Sequence, residues 1–222
     1  MSLWWLFLFC AISYLIGCLN FTAILAKYKF KTDISKVGSG NPGATNMLRN
    51  FGFKWGLLIL ILDIVKGIVP AVMGVIVFGN GYNANPVGGG VTNGAGQIGM
   101  YACGLSAVLG HCWPITRRFR GGKGVATTIG VFFVINPLIG VLALAFGFLL
   151  GFVFDNATLS SFSITSICLL WEGFINNPGV TVSSITIAIY VVVLFKHRGN
   201  IYRLLKGTDK PAGLMKKRNK AK

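Results

Sequence analysis

Six long apolar runs leave this chain few options. They lie at about 3–26, 55–78, 96–116, 124–154, 157–175 and 180–195, and they are continuous rather than alternating with polar residues. Hydrocarbon is the solvent that tolerates such runs, provided each backbone polar group is satisfied inside its own helix. A soluble domain carries about 25 % charged residues, whereas this chain carries 12 %. No polar stretch between the runs is long enough to bury a core of its own. One integral-membrane domain over 1–210 is therefore expected, with a basic tail over 211–222 that frays near anionic headgroups. No Lys or Arg precedes Leu3, so the first run lacks the positive start of a cleaved leader and is read as a retained helix.

Charge sets the topology. Lys and Arg fall into three clusters, Lys27 to Lys54, Arg117 to Lys123, and Lys196 to Lys222, with Lys66 outside them. Short basic loops stay in the cytoplasm, so an even number of crossings must separate any two clusters. Two runs separate the first pair, as required. Three separate the second pair, but run 124–154 carries Asn136-Pro137 near its middle, and proline breaks a helix. Splitting it there restores parity. The expectation is an all-α membrane protein of seven transmembrane helices, with the N-terminus outside and the C-terminus cytoplasmic. One long tilted helix over 124–154, and six spans in all, is the alternative. The uncharged loop 79–95 reads as a passive outer connector.

Three polar segments fall on the cytoplasmic side of this topology. The first, Gly38-Ser39-Gly40-Asn41-Pro42-Gly43-Ala44-Thr45-Asn46 with Arg49 one turn on, has glycines that let N–H groups converge on an anion. A helix starting near Thr45 would add its positive end. Ser39, Asn41 and Asn46 add neutral donors, and Arg49 adds a fork suited to phosphate. The second segment runs from His111-Cys112-Trp113-Pro114 to Gly121-Gly122-Lys123-Gly124-Val125-Ala126-Thr127. It lacks the spacing of a nucleotide-binding loop, which points to a metal-free phosphate site at Lys123, with Gly121, Gly122 and Gly124 giving access. Arg117, Arg118 and Arg120 are read as topology and headgroup contacts. The third segment, Lys196 to Asp209, places His197, Asn200 and Arg203 three apart, on one face of a helix.

The remaining polar residues are few. Asp63 and Lys66, inside the second run and three apart, can pair; an unpaired charge there costs about 2.5–3.5 kcal/mol. They form either a structural ion pair or the lining of a polar cavity beneath the first loop. Glu172 is expected near the outer surface and solvated. Cys10, Cys18, Cys103, Cys112 and Cys168 show no metal-ligand spacing and read as small buried hydrophobes. The net charge of +16 sits in short loops between apolar runs, which favours membrane lipids and phosphorylated substrates over nucleic acid as partners.

Taken together, in order and over nearly the whole chain, these motifs resemble the bacterial integral-membrane glycerol-3-phosphate acyltransferases that use acyl phosphate as donor. The first motif of that family is matched by Gly38 to Asn46 with Arg49. The second is matched by Gly110-His111 to Pro114 and Phe119 to Thr127, and the third by His197 to Ile201 with Arg203-Leu204-Leu205 and Gly207. The resemblance implies seven spans and acyl transfer to the sn-1 hydroxyl of glycerol 3-phosphate, giving lysophosphatidic acid and phosphate, the first step of phospholipid synthesis. It implies the bacterial inner (plasma) membrane with a cytoplasmic active site, no cofactor, and partnership with an acyl-phosphate-producing enzyme. It places critical roles at Ser39, Asn41, Arg49, Lys123, His197 and Asn200, and associates the second motif with glycerol 3-phosphate binding. Two positions depart from it. Asp209 stands where the family has Glu, and Ser160 matches a family serine without that serine's usual neighbours.

Acyl phosphate is a mixed anhydride, so binding two phosphates, aligning a hydroxyl and accepting a proton are the tasks left. His197 suits proton handling or carbonyl polarisation, although a substrate phosphate can take the proton instead. The His-x-x-x-x-Asp pattern of other acyltransferases is absent, because Thr116 and Tyr202 stand five after the two histidines. A transporter would need a polar path through the midplane, but the polar residues gather on one face. A purely structural membrane protein leaves the first loop unexplained.

Overall fold

The computed structural model describes residues 3–79, 94–176, 179–209 and 211–213. Every regular element among them is helical. The interior of the expected outer connector, 80–93, and the tail from 214 onward lie outside the described residues.

Among the described residues, five segments are long and apolar enough to cross a bilayer: Leu3–Tyr28, Phe53–Phe78, Gly94–Arg117, Ala157–Asn176 and Val180–Leu205. The first is two helices, α1 (Leu3–Gly17) and α2 (Phe21–Tyr28), where the sequence reads as one run. Asn20 makes the break: its side-chain oxygen accepts the Ala23 N–H at 2.8 Å and caps α2. The Leu19 carbonyl freed there accepts from Lys66 Nζ at 2.9 Å. The donor lies 47 positions away, so the apolar run alone gives no sign of it.

Gly52 joins α3 (Ala44–Phe51) to α4 (Phe53–Phe78) with a φ of +95°, a backbone angle that side chains disfavour. After α5 (Gly94–Cys112) comes the expected split of the fourth run, into α6 (Val125–Ile135) and α7 (Pro137–Val153). Asn136 is extended and its side chain accepts the Ile139 N–H at 3.1 Å. Pro137 occupies the first position of α7, where a missing N–H leaves nothing unpaired.

The eleven residues of α6 span only roughly 16 Å. Its start is set deep. Gly122 packs against the His111 ring, and His111 Nδ1 lies 3.8 Å from Asp63 Oδ1. Asp63 is ten residues into α4, or about 15 Å along it. The loop before α6 therefore sits well below the start of α4. Backbone contact holds this arrangement: a Cβ on Gly67 would overlap the Thr127 carbonyl oxygen, and one on Gly130 the Ile64 carbonyl oxygen.

α8 (Ala157–Leu170) ends in a wider π turn, Trp171–Asn176, before α9 (Val180–Leu205). That turn corrects the expectation of a solvated Glu172. The residue is fully buried, accepts from the Tyr101 hydroxyl, and takes a second bond from Asn176 Nδ2 at 3.1 Å. Burying a carboxyl group is tolerable only when it is hydrogen-bonded, and α5 supplies the bond. The main core joins Ile64 and Ala71 of α4, Tyr101 of α5, Ile129, Phe132 and Ile135 of α6, and Ile164 of α8. Trp4, Phe7, Val141, Leu149 and Val191 are exposed, forming faces that suit lipid tails.

Candidate active site

A cavity of about 460 Å³ opens between α3, α4, the loop before α6, α7, α8 and α9. One face of α4 descends into it through Phe53, Gly56, Leu57, Leu60 and Asp63, spaced as a helix places residues on one side. All three polar segments reach it. Of the residues expected at the site, Ser39, Asn41, Asn46, Arg49, Lys123, Gly124, Ser160, His197 and Asn200 line the cavity. Gly40, Gly121 and Gly122 do not. The Gly40 N–H bonds the Val37 carbonyl at 2.9 Å, and the Gly122 N–H bonds the His111 carbonyl at 3.1 Å. A Cβ on Gly121 would overlap that same His111 carbonyl oxygen. These glycines allow close packing behind the wall.

Asn46 is almost fully buried and its amide is occupied by the loop itself. Its Oδ1 accepts from the Ser39 N–H at 3.1 Å and from Asn50 Nδ2 at 3.0 Å, and its Nδ2 donates to the Val37 carbonyl at 2.9 Å. Asn46 thus staples the loop, leaving the Ser39 and Asn41 side chains at the cavity wall. Arg49, one turn along α3, is half-buried, and its Nε donates to the Ala212 carbonyl at 3.3 Å. Burial lowers its proton affinity, an effect that the Asp209 and Asp155 carboxylates oppose.

Lys123 precedes α6, and its Nζ donates to Asn200 Oδ1 at 2.7 Å. Burial, reinforced by the positive charge of Arg203, brings its pKa down to about 8. An arriving anion would reverse that shift. From Lys123 a polar chain continues. Asn200 Nδ2 donates to Thr158 Oγ1 at 3.0 Å, and Thr158 Oγ1 donates to Asp209 Oδ2 at 2.5 Å. Asp209 Oδ1 lies 3.6 Å from Arg203 Nε. Thr158 is absent from the sequence-based expectations, because nothing in Asn156-Ala157-Thr158 beyond a helix cap marks it.

His197, Asn200 and Arg203 share the cavity face of α9, as their spacing requires. His197 is buried, with Nδ1 at 2.8 Å from the Val193 carbonyl and the Phe162 ring at 5.7 Å. A carbonyl only accepts, so Nδ1 carries the hydrogen and the neutral ring keeps its lone pair on Nε2. Asp63 and Lys66 pair at 2.8 Å, and Asp63 lines the cavity together with His111. The pair is an ion pair, and of its two members only Asp63 lines the cavity. An apolar part of the wall is built from Leu57, Leu60, Ile129, Leu144, Phe148 and Ile164.

Known proteins share this architecture. The family model described as glycerol-3-phosphate acyltransferase matches residues 7–207. The glycerol-3-phosphate acyltransferase of Thermoanaerobacter pseudethanolicus is 38 % identical over 91 % of this chain and 93 % of its own. That of Neisseria meningitidis serogroup B is 34 % identical over 91 % and 95 %. Crystal structures of PlsY (YgiH), an integral membrane glycerol 3-phosphate acyltransferase, superpose with TM-scores of 0.80 for the glycerol 3-phosphate form and 0.77 for the lysophosphatidic acid form. Each is 32 % identical and covers 93 % of this chain and 94 % of the other. With identity of this level running the length of both chains, and the three polar segments meeting at one cavity in an apolar bundle, the chain belongs to the glycerol-3-phosphate acyltransferase family of integral membrane acyltransferases.

Proposed function

We propose that this protein transfers an acyl group from acyl phosphate to the sn-1 hydroxyl of glycerol 3-phosphate, yielding lysophosphatidic acid and phosphate at the start of phospholipid synthesis. One observation carries the reading: a single cavity combines a cationic pole with an apolar wall. Arg49, Lys123 and Arg203 supply the cations, and the leucine, isoleucine and phenylalanine side chains named above supply the wall. Both proposed substrates bear a phosphate and one bears a fatty chain, so the two surfaces suit the pair. The glycerol 3-phosphate and lysophosphatidic acid forms of PlsY support this acceptor and this product.

The chemistry balances without a further reactant. The sn-1 oxygen attacks the acyl carbonyl, an ester bond forms, and the bond from the carbonyl carbon to the phosphate oxygen breaks. The hydroxyl proton ends on the departing phosphate, directly or by way of His197 Nε2. Arg49 and Lys123 hold phosphate, Ser39 and Asn41 add neutral donors, and Asn200 keeps Lys123 in place. Alignment of the two substrates in one pocket is the main source of rate.

The basic clusters support seven crossings, an outside N-terminus, a cytoplasmic C-terminus and a cavity mouth facing the cytoplasm of the bacterial inner membrane. An enzyme that makes acyl phosphate must then supply the donor. Purified protein given acyl phosphate and labelled glycerol 3-phosphate should release lysophosphatidic acid and phosphate in equal amounts. Equal turnover with an acyl thioester would overturn the donor assignment. Uptake of glycerol 3-phosphate into liposomes without product would replace the enzyme by a transporter.

A further inference from the structure

After α9 the chain turns at Gly207, with a φ of +65°, and comes back to the cavity, where Asp209 and Ala212 line the wall. Residues 211–213 lie beyond the 7–207 that the family model matches. Two consecutive N–H groups of this segment end on one residue. The Ala212 N–H donates to the Asp155 carbonyl at 2.5 Å, and the Gly213 N–H donates to Asp155 Oδ1 at 2.8 Å. On its other side the segment meets α3, because the buried Ala212 carbonyl accepts from Arg49 Nε at 3.3 Å. Residues 211–213 thus tie the connection between α7 and α8 to α3 at the edge of the cavity.

We infer that residues 211–213 form a strap that positions Arg49 for phosphate, with Asp155 gripping the strap and the Ala212 carbonyl fixing Arg49 Nε at the cavity wall. This inference rests on the acyl transfer proposed above, in which Arg49 holds phosphate. Order before binding carries the physical case. An arginine side chain is long and freely rotating, and freezing it only when a ligand arrives weakens the binding. Nε is the atom through which the planar guanidinium joins its stem, so a hydrogen bond there restricts the plane presented to the cavity. Asp155 is not among the residues lining the cavity, whereas Ala212 and Arg49 both are. Asp155 therefore acts through the strap. Gly213 suits the close approach: its φ is +78°, and a Cβ there would stand 3.3 Å from Arg49 Cγ.

The test measures kcat and the KM of acyl phosphate and of glycerol 3-phosphate separately. Asp155→Ala removes the side-chain grip on Gly213. It should raise the KM of one of the two substrates by about five-fold to ten-fold, the scale of ordering one long side chain on binding, with kcat nearly unchanged. Asp155→Asn keeps an accepting oxygen and should behave as wild type. Gly213→Ala crowds Arg49 from the strap and should raise the same KM, so the question stays answerable should Asp155→Ala fail to fold. Wild-type values of both KM in Asp155→Ala and Gly213→Ala would overturn the inference. So would a fall in kcat and melting temperature with both KM values kept, which marks a merely structural contact. An Asp155→Asn protein as impaired as Asp155→Ala would assign the effect to charge and overturn it as well. Wild-type protein that makes no lysophosphatidic acid would sink the underlying reaction instead. Calorimetric binding of inorganic phosphate then tests the strap by itself: Asp155→Ala should weaken it, and equal binding would overturn the inference.

Discussion

At the scale of single residues, two groups determine how the site responds to change. With Nδ1 held by the Val193 carbonyl, His197 offers Nε2 as an acceptor for the attacking hydroxyl. Replacing it with Ala should lower kcat by about 10²-fold, the lower end for general base work, with a smaller change in KM. Unchanged turnover would assign the proton entirely to phosphate. Lys123 makes the pH dependence specific. With a pKa of about 8 against an ordinary 10.5, it loses its charge as pH rises through 8. The KM for glycerol 3-phosphate should climb above that pH, and a flat profile to pH 10 would remove Lys123 from phosphate binding. Stability moves the other way. Between about 8 and 10.5 the unfolded chain holds the proton that the folded one has released, so the contribution of Lys123 to stability rises with pH across that window.

At the scale of elements, the loop before α6 and the start of α8 decide geometry. Gly122 leaves no room for a Cβ, which would meet His111 Nε2. Gly122→Ala should therefore displace either the ring or the loop and raise the KM for glycerol 3-phosphate by roughly ten-fold. A KM within a factor of two of wild type would show that the contact is slack. Thr158 links Asn200 to Asp209. Thr158→Val leaves both partners short of a hydrogen bond, at about 1–3 kcal/mol each when buried. Calorimetry in detergent should show the melting temperature fall together with activity. Asp209, which stands where the family has Glu, is at the end of this same chain.

At the scale of the whole molecule, the reading requires the three polar segments to share one side of the bilayer. Lys36, Phe119 and Lys206 are exposed and represent one segment each. Cysteines introduced singly at these positions should all react with an impermeant maleimide in inside-out vesicles and stay protected in intact cells. The native cysteines are buried or half-buried and give a low background. Labelling of Lys36→Cys and Phe119→Cys from opposite sides would dismantle both the topology and the shared cavity.

Much of this molecule is local, and local properties are legible in a string of residues. Apolar runs required a membrane, Asn136-Pro137 marked the helix break, and spacing by three put His197, Asn200 and Arg203 on one face. The three polar segments that reach the cavity stood out for the same reason, since backbone freedom and charge belong to the residues themselves. Packing decided the rest. The pair Lys123–Asn200 is separated by 77 positions and Tyr101–Glu172 by 71, and no periodicity links such distant positions. Whether Glu172 met water or Tyr101 depended on a π turn. Whether Asn46 faced a ligand or stapled its own loop depended on where Val37 and Asn50 came to rest. That His111 Nδ1 lies 3.8 Å from Asp63 Oδ1, 48 positions back along the chain, is set by how α4 and α5 pack together.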